Sequence, residues 1–326
     1  MHERENALKE WLVHTIKSKD FVLTPLAGDA SFRRYFRLQC DGLSYVVMDA
    51  PPAKEDSEPF IYIAGCLAKV NVLTPKILAK DLNQGFLLLS DFGDQLVLNS
   101  LTPTTVNDCY QSAIQTLLKI QTCEVNDPKL PPFNESFMVK EMSLCPEWFF
   151  TQYLNLTLSD NEKTIVQQTI TWIASQVELQ PLAFIHRDYH SRNLMVVNTS
   201  KGNTLGVIDF QDAMCGPLTY DLVSLLKDCY ISWPREQILQ WVAFYYRHSP
   251  NSHIYSLTEF IRAFDLCGIQ RHLKVLGIFC RLFLRDNKSG YLNNLPLTLK
   301  YVLECAEMYD ELHPFYYFLQ KRVFLS

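Results

Sequence analysis

The stretch FIHRDYHSRNLMVV, residues 184 to 197, sets two histidines, an aspartate, two arginines and an asparagine between two apolar runs. Three readings compete for it. His186, Asp188 and His190 could form a metal site; Asp188 and Asn193 could serve a phosphoryl-transfer loop; or the residues could form a polar turn between buried strands. Spacing separates these. HRDYHSRN fits H-x-D-x-x-x-x-N, in which the aspartate accepts a proton from a hydroxyl and the asparagine, five residues on, binds a metal ion. A second carboxylate should then follow a buried strand, and LGVIDFQD supplies Asp209 sixteen residues after Asn193. The transition state of phosphoryl transfer is loose and highly charged, so one base and two metal ligands suffice where positioning and charge neutralisation do most of the catalysis. A zinc site would need the three alternate residues on one extended strand, and neither H-E-x-x-H nor a G-x-x-x-x-G-K-[ST] phosphate loop occurs in the chain.

A second candidate motif is misplaced. SDFGD, residues 90 to 94, contains the Asp-Phe-Gly that binds metal in protein kinases, but it precedes the 186–193 loop by almost a hundred residues instead of following it. Residues 88 to 92 are better read as a hinge. There the backbone around Leu89 and Asp91 would hold adenine, and Gly93 would let the chain turn away.

The elements that must position these residues follow from hydrophobic period. Phe32 to Leu38 and LSYVVMDAP flank Asp41-Gly42 and predict an antiparallel hairpin. Ser57 and Pro59 open a helix with Phe60, Ile63, Leu67 and Val70 on one face. LTPKILAKD and GFLLLSDFGD predict two further strands around Asn83-Gln84-Gly85. Beyond Gly93 the period turns helical in TTVNDCYQSAIQTLLKIQT and DNEKTIVQQTITWIASQVELQ, broken only by short apolar runs at 183–185, 194–197 and 205–208. The expected architecture is α+β and bilobal. Residues 1–92 form a small antiparallel-sheet lobe that binds nucleotide phosphates, and residues 93–326 form a larger helical lobe with the catalytic loop, metal and acceptor sites.

Composition narrows the partners. At 326 residues, 48% hydrophobic and 20% charged, the chain is long enough for two lobes and reads as an ordinary globular protein. Thirty basic against 35 acidic residues, scattered and summing to −5, argue against nucleic acid, and no protein partner is evident. No apolar run reaches membrane-spanning length, and MHERENALKEWLVHTIKSKD is amphipathic without a signal-peptide core. Ten cysteines without a C-x-x-C pair read as reduced, mostly buried thiols, which suggests the cytoplasm.

The residues of 184–197, 206–211 and 221–226 resemble the aminoglycoside phosphotransferase-like small-molecule kinases, whose fold is protein-kinase-like. Only eleven residues separate Asp209 from Asp221, which leaves no room for a peptide-docking activation segment and implies a small acceptor. More narrowly, GDASFRRYFRL, MDAPP, LLLSDFGD, PEWFF, IHRDYHSRNLM, VIDFQDAMCGPLTYDLVSLLKD and QRHLKVLGIFCRL are together similar to the N-acetylmuramate and N-acetylglucosamine anomeric kinases of bacterial cell-wall recycling. That resemblance implies ATP and Mg²⁺ as cofactors and an amino sugar as acceptor, with Asp188 as base and Asn193 and Asp209 as metal ligands. The strand-three lysine of the wider kinase pattern is missing, with Met48 in its place. Ser31, Arg33, Arg34 and Arg37, beside Gly28 and Lys54, are the candidates to meet phosphate. Glu147, Gln211 and Asp212 are candidates for sugar hydroxyls or the acetamido group, and Arg271 or Lys274 for a carboxylate; Glu147 could equally cap a helix and the 270–282 segment simply pack. Asp221 is expected to hold the catalytic loop by hydrogen bonds. The alternatives are a kinase of the same kind acting on an aminoglycoside, choline-like alcohol or ketosamine, and a nucleotide-binding pseudokinase.

Overall fold

The computed structural model of the chain describes residues 2–26, 32–199 and 202–323. It resolves into two compact units: residues 1–96 with 194–212, and residues 97–193 with 213–326.

The first unit is built on a five-stranded antiparallel sheet of order β1-β2-β3-β5-β4, from β1 (Val22–Pro25), β2 (Arg34–Cys40), β3 (Leu43–Asp49), β4 (Ile77–Asp81) and β5 (Phe86–Ser90). The hairpin joining β2 to β3 turns through Asp41 and Gly42, both at positive φ (51° and 74°), as a two-residue reverse turn demands. Gly85, between β4 and β5, is fixed by a close approach as well as by φ 72°: a Cβ there would lie 1.9 Å from the Ala50 carbonyl oxygen. Helix α1 (His2–Ile16) buries Leu8 and Leu12 against Leu38, Val47, Phe86 and Leu88 of the sheet. Helix α2 (Glu58–Lys69) buries Phe60, Ile63 and Leu67, while Val70 falls at its C-cap. Ser57 stands at the N-cap but its side chain makes no capping bond.

A later hairpin returns to this unit. Its strands β7 (Leu194–Thr199) and β8 (Gly202–Val207) pair antiparallel, and it is tied down by Val196 N–H to the Gln95 carbonyl and Val207 N–H to the Leu73 carbonyl, both at 2.8 Å. Phe210, just beyond it, packs its ring against Phe60, with centroids 4.8 Å apart and the planes tilted by 33°.

The second unit is helical: α3 (Val97–Ser100), α4 (Val106–Ile120), α5 (Glu135–Met142), α6 (Asp160–Glu178), α7 (Tyr220–Leu226), α8 (Arg235–His248), α9 (Leu257–Leu284), α10 (Leu295–Met308) and α11 (His313–Val323). Among the described residues of this unit a small sheet pairs β6 (Leu182–Ile185) with β9 (Met214–Pro217). Capping boxes start α6, at Ser159 and Glu162, and α9, at Ser256 and Glu259. Residues 145–153 form a π-helix, closed by the Leu154 N–H bond to the Phe149 carbonyl five residues back. It packs on α9 so closely that a Cβ at Gly277 would lie 2.4 Å from the Leu144 carbonyl carbon.

Candidate active site

The loop after β6 carries the candidate residues Asp188 and Asn193 of the second unit. Its backbone is anchored by Asp221, which is fully buried on α7 and accepts the N–H groups of His186 (2.6 Å) and Arg187 (3.0 Å). Arg187 takes a left-handed conformation, φ 75°, so His186, Asp188 and His190 do not run along one strand face, as a zinc site built on alternation requires. Inside the loop, His190 N–H and the Asn193 side-chain amide both donate to the Asp188 carbonyl at 3.0 Å, and Asn193 N–H donates to the His190 carbonyl at 2.9 Å. These bonds fold residues 188–193 into a tight turn. The Asn193 side-chain Nδ2 is one of these donors, which fixes the orientation of its amide.

Asp188 is half-exposed, with a buried field of positive charge behind it. Arg271 Nη1, on α9, lies 3.6 Å from Asp188 Oδ1 and also donates to the Arg187 carbonyl at 3.3 Å. Lys274, one turn along α9, sits 3.3 Å from Glu141 Oε1 and donates to the Tyr220 hydroxyl at 3.3 Å. Burial works to raise the Asp188 pKa, but the charges of Lys274 and Arg271 outweigh it and hold the carboxyl well below the usual range. Asp188 is therefore an anion at any ordinary pH. The same burial, opposed by the two N–H bonds and Arg271, pushes the Asp221 carboxyl up to about 7.

Glu141 was not singled out by the sequence. It accepts from Arg187 Nη2 at 2.6 Å and pairs with Lys274, so it balances two of the three cations behind the loop. Its signal was present: an acid on the face of α5 that also buries Met138 and Met142.

In the first unit, Asp209 follows β8 at φ 63°, a backbone that a non-glycine residue rarely adopts without a reason. Gln211 orients its carboxylate, with Nε2 donating to Asp209 Oδ1 (2.9 Å) and Asp212 Oδ2 (3.2 Å). Gln211 is buried and Asp212 exposed. A carboxylate such as that of Asp209 is of the type that Mg²⁺ takes, a hard cation that binds one or two protein carboxylates and completes its shell with phosphate and water oxygens.

The predicted phosphate contacts have partners of their own. Arg37 fills its fork with both oxygens of Asp91 (2.7 and 3.2 Å), Asp94 (2.8 Å) and the Gly93 carbonyl (3.2 Å). Asp91 also accepts from Ser44 and Gly93 N–H, so its side chain knits β2, β3 and the segment after β5 together. Arg34 pairs with buried Asp49, its opposite neighbour across β2 and β3, and Arg4 shares that carboxylate. Arg33 pairs with Glu55 at 3.1 Å. Lys54 lies 4.5 Å from the Phe32 ring centre and makes no ion pair among the described residues. Met48 is fully buried on β3 and Leu89 on β5. Ser31 and Gly28 lie outside the described residues. Glu147 is exposed in the first turn of the π-helix.

Comparison with solved structures gives the class. Choline kinase LicA from Streptococcus pneumoniae is similar with a TM-score of 0.65 and 14% identity, covering 93% of this chain and 99% of that one. Plasmodium vivax ethanolamine kinase is similar with a TM-score of 0.63 and 14% identity, covering 88% of this chain and 83% of that one. The fold is the α+β, protein-kinase-like fold of the small-molecule phosphotransferases. Residues 22–253 match the phosphotransferase enzyme family, APH, and the chain belongs to that family. An N-acetylmuramate/N-acetylglucosamine kinase of Pseudomonas putida is 41% identical over 293 residues, 89% of this chain and 85% of that protein. One of Neisseria meningitidis serogroup B is 37% identical over 329 residues, 98% of this chain and 96% of that protein. The chain is an enzyme, a phosphotransferase.

Proposed function

We propose that the enzyme transfers the γ-phosphoryl group of ATP to the anomeric hydroxyl of N-acetylmuramate or N-acetylglucosamine, giving the sugar 1-phosphate for reuse of cell-wall sugars. The observation that carries the acceptor assignment is the match, nearly end to end, to kinases named for those two sugars. The chemistry is supported by Asp188, an ionised, half-exposed carboxylate on a loop held at both flanks of its turn.

In this reading Asp188 accepts a hydrogen bond from the anomeric hydroxyl and aims its oxygen at the γ-phosphorus. The new O–P bond forms as the bond from phosphorus to the β,γ-bridging oxygen breaks, ADP departs, and the hydroxyl proton passes to Asp188. A carboxylate with so low a pKa is a weak base, but a loose transition state calls for little proton removal before the phosphoryl group has moved. Orientation is then the larger part of its contribution. Magnesium, when bound, neutralises phosphate charge; Asn193 and Asp209 are its proposed ligands, with Gln211 orienting Asp209. Leu89 and Asp91 remain the proposed adenine contacts through their backbone. For phosphate, Arg33, Arg34 and Arg37 would each have to release a carboxylate partner, so Lys54 is the preferred contact, with Ser31 proposed from the sequence alone. Glu147, Asp212 and Arg271 remain proposed for the acceptor side.

Among the described residues no helix is long and apolar enough to cross a membrane, and all ten cysteines are free thiols. The thiols and the use of ATP favour a cytoplasmic enzyme acting on a small molecule. A coupled ADP-release assay with N-acetylmuramate, N-acetylglucosamine and the 1-O-methyl glycoside of N-acetylglucosamine tests the proposal. Turnover with the first two and none with the blocked glycoside is expected; turnover with the glycoside would overturn the anomeric assignment.

A further inference from the structure

Helix α7 grips the catalytic loop twice. Asp221, near its start, holds the entry to the loop at residues 186 and 187. Asp228, just beyond its end, accepts both the backbone N–H (3.0 Å) and the hydroxyl (2.5 Å) of Ser191. The third donor to Asp228 is Tyr230 N–H at 2.9 Å. Ser191 has no exposed surface and Asp228 only 1%.

This second grip is an expensive way to hold a turn. Asp228 has no cationic partner within ion-pair distance among the described residues; the adjacent Lys227 is committed to Asp265 at 2.8 Å. A buried carboxylate satisfied only by neutral donors bears a desolvation cost that an asparagine or serine would avoid. What it gains is stiffness, because bonds to a charged acceptor are roughly twice as strong as neutral ones. The turn around Ser191 is reinforced on both sides: its carbonyl accepts Leu98 N–H at 3.0 Å, and the Arg192 guanidinium lies 4.4 Å from the Tyr230 ring centre. Asn193 follows two residues later, its backbone N–H tied to the His190 carbonyl of the same turn. Lys227, locked to buried Asp265, in turn fixes Asp228 from the preceding residue.

We propose that Asp228 is a positioning residue for phosphoryl transfer: through Ser191 it fixes the turn that presents the Asn193 amide to the metal. The proposal rests on the reading of Asn193 as a magnesium ligand. It distinguishes Asp221 on α7 from Asp228 just beyond it, with Asp221 setting the half of the loop that bears the base and Asp228 the half that bears the ligand.

The test is steady-state turnover of the full chain as a function of Mg²⁺ concentration at saturating ATP, for Asp228→Asn, Ser191→Ala and, as a control, Asn193→Ala. Asp228→Asn should raise the magnesium concentration for half-maximal rate by about 10-fold, in line with losses of outer-shell support, and leave the acceptor KM within about twofold. Ser191→Ala, which keeps the backbone N–H bond, should move it the same way by less, and it decides the matter if Asp228→Asn does not fold. A purely structural role would lower melting temperature and active fraction with the magnesium dependence unmoved. If Asn193→Ala shifts the magnesium dependence and neither other variant does, this inference is overturned alone. If Asn193→Ala leaves it unmoved, the magnesium reading falls, and the inference with it.

Discussion

Arg271 and Asp188 meet at 3.6 Å, a cation with 5% of its side chain exposed facing a carboxylate with 40% exposed. The asymmetry has a consequence for chemistry. The cation is held by packing and by the Arg187 carbonyl, so it is a fixed feature of the field in which Asp188 ionises. Replacing Arg271 with Met removes the largest charge, after Lys274, that holds the Asp188 pKa down, and the pKa must rise. The parent should show no acid limb from Asp188 and the variant should bring one in at the acid end of the kcat/KM profile; a profile identical to the parent's would mean that the Arg271 charge does not set the Asp188 pKa.

Replacing Asp188 with Asn keeps the side-chain shape and removes the proton acceptor. Turnover should fall by about 10² to 10⁴, the usual contribution of a general base, with ADP affinity by calorimetry close to that of the parent. Near-normal turnover would sink the assignment.

How much of this was legible before the fold was known depends on range. Asp41-Gly42 and Gly85 announced their hairpins because the conformations they adopt are local properties of residue type, and both turns are where they were expected. The HRDYHSRN spacing brought Asp188 and Asn193 into one turn because the bonds that close that turn, from His190 N–H, Asn193 N–H and the Asn193 side chain, all lie within residues 188–193. The role expected of Asp221, a position singled out by the family resemblance, matches its bonds to the His186 and Arg187 N–H groups. Strands β1 and β9 were missed, being four residues each with little alternation. The partners of Arg34 and Arg37 were missed for a different reason. Asp49, Asp91 and Asp94 are 15 to 57 residues away, and only the sheet register brings them close. Asp228 was hidden in the same way: nothing in LLKDCY says that a serine 37 residues earlier is its partner.

The pH dependence of stability should carry the mark of Asp221. Its carboxyl is raised in the fold to about 7 by burial, against about 3.9 in an unfolded chain. The sign is therefore that its stabilising contribution is complete below about pH 4 and is lost as pH rises towards 7. An Asp221→Asn variant does not titrate, so its melting temperature relative to the parent should climb between pH 4 and 7. A flat or falling difference would show that the two N–H bonds keep the carboxylate ionised throughout.

Asp265 balances two cations, of which Lys227 has only 4% of its side chain exposed. Replacing Asp265 with Ala strands that ammonium group in the core. The expected loss is about 3–5 kcal/mol in urea unfolding of the full chain, the range for breaking one side of a buried pair. A loss below about 1 kcal/mol, typical of exposed pairs, would mean that water reaches Lys227.

Replacing Asp209 with Ala removes the carboxylate that Gln211 orients, and with it the proposed use of Mg-ATP. Turnover should fall to background at any magnesium concentration in a titration. A magnesium dependence identical to the parent's would place the metal elsewhere.

The central claim is the reaction itself, and phosphorus NMR of the product mixture after incubation with Mg-ATP and N-acetylmuramate, and separately N-acetylglucosamine, tests it most directly. The account predicts a new sugar 1-phosphate resonance coupled to the anomeric proton, appearing in step with ADP. A phosphate coupled instead to the C6 methylene protons, or ADP with inorganic phosphate and no sugar ester, would contradict it.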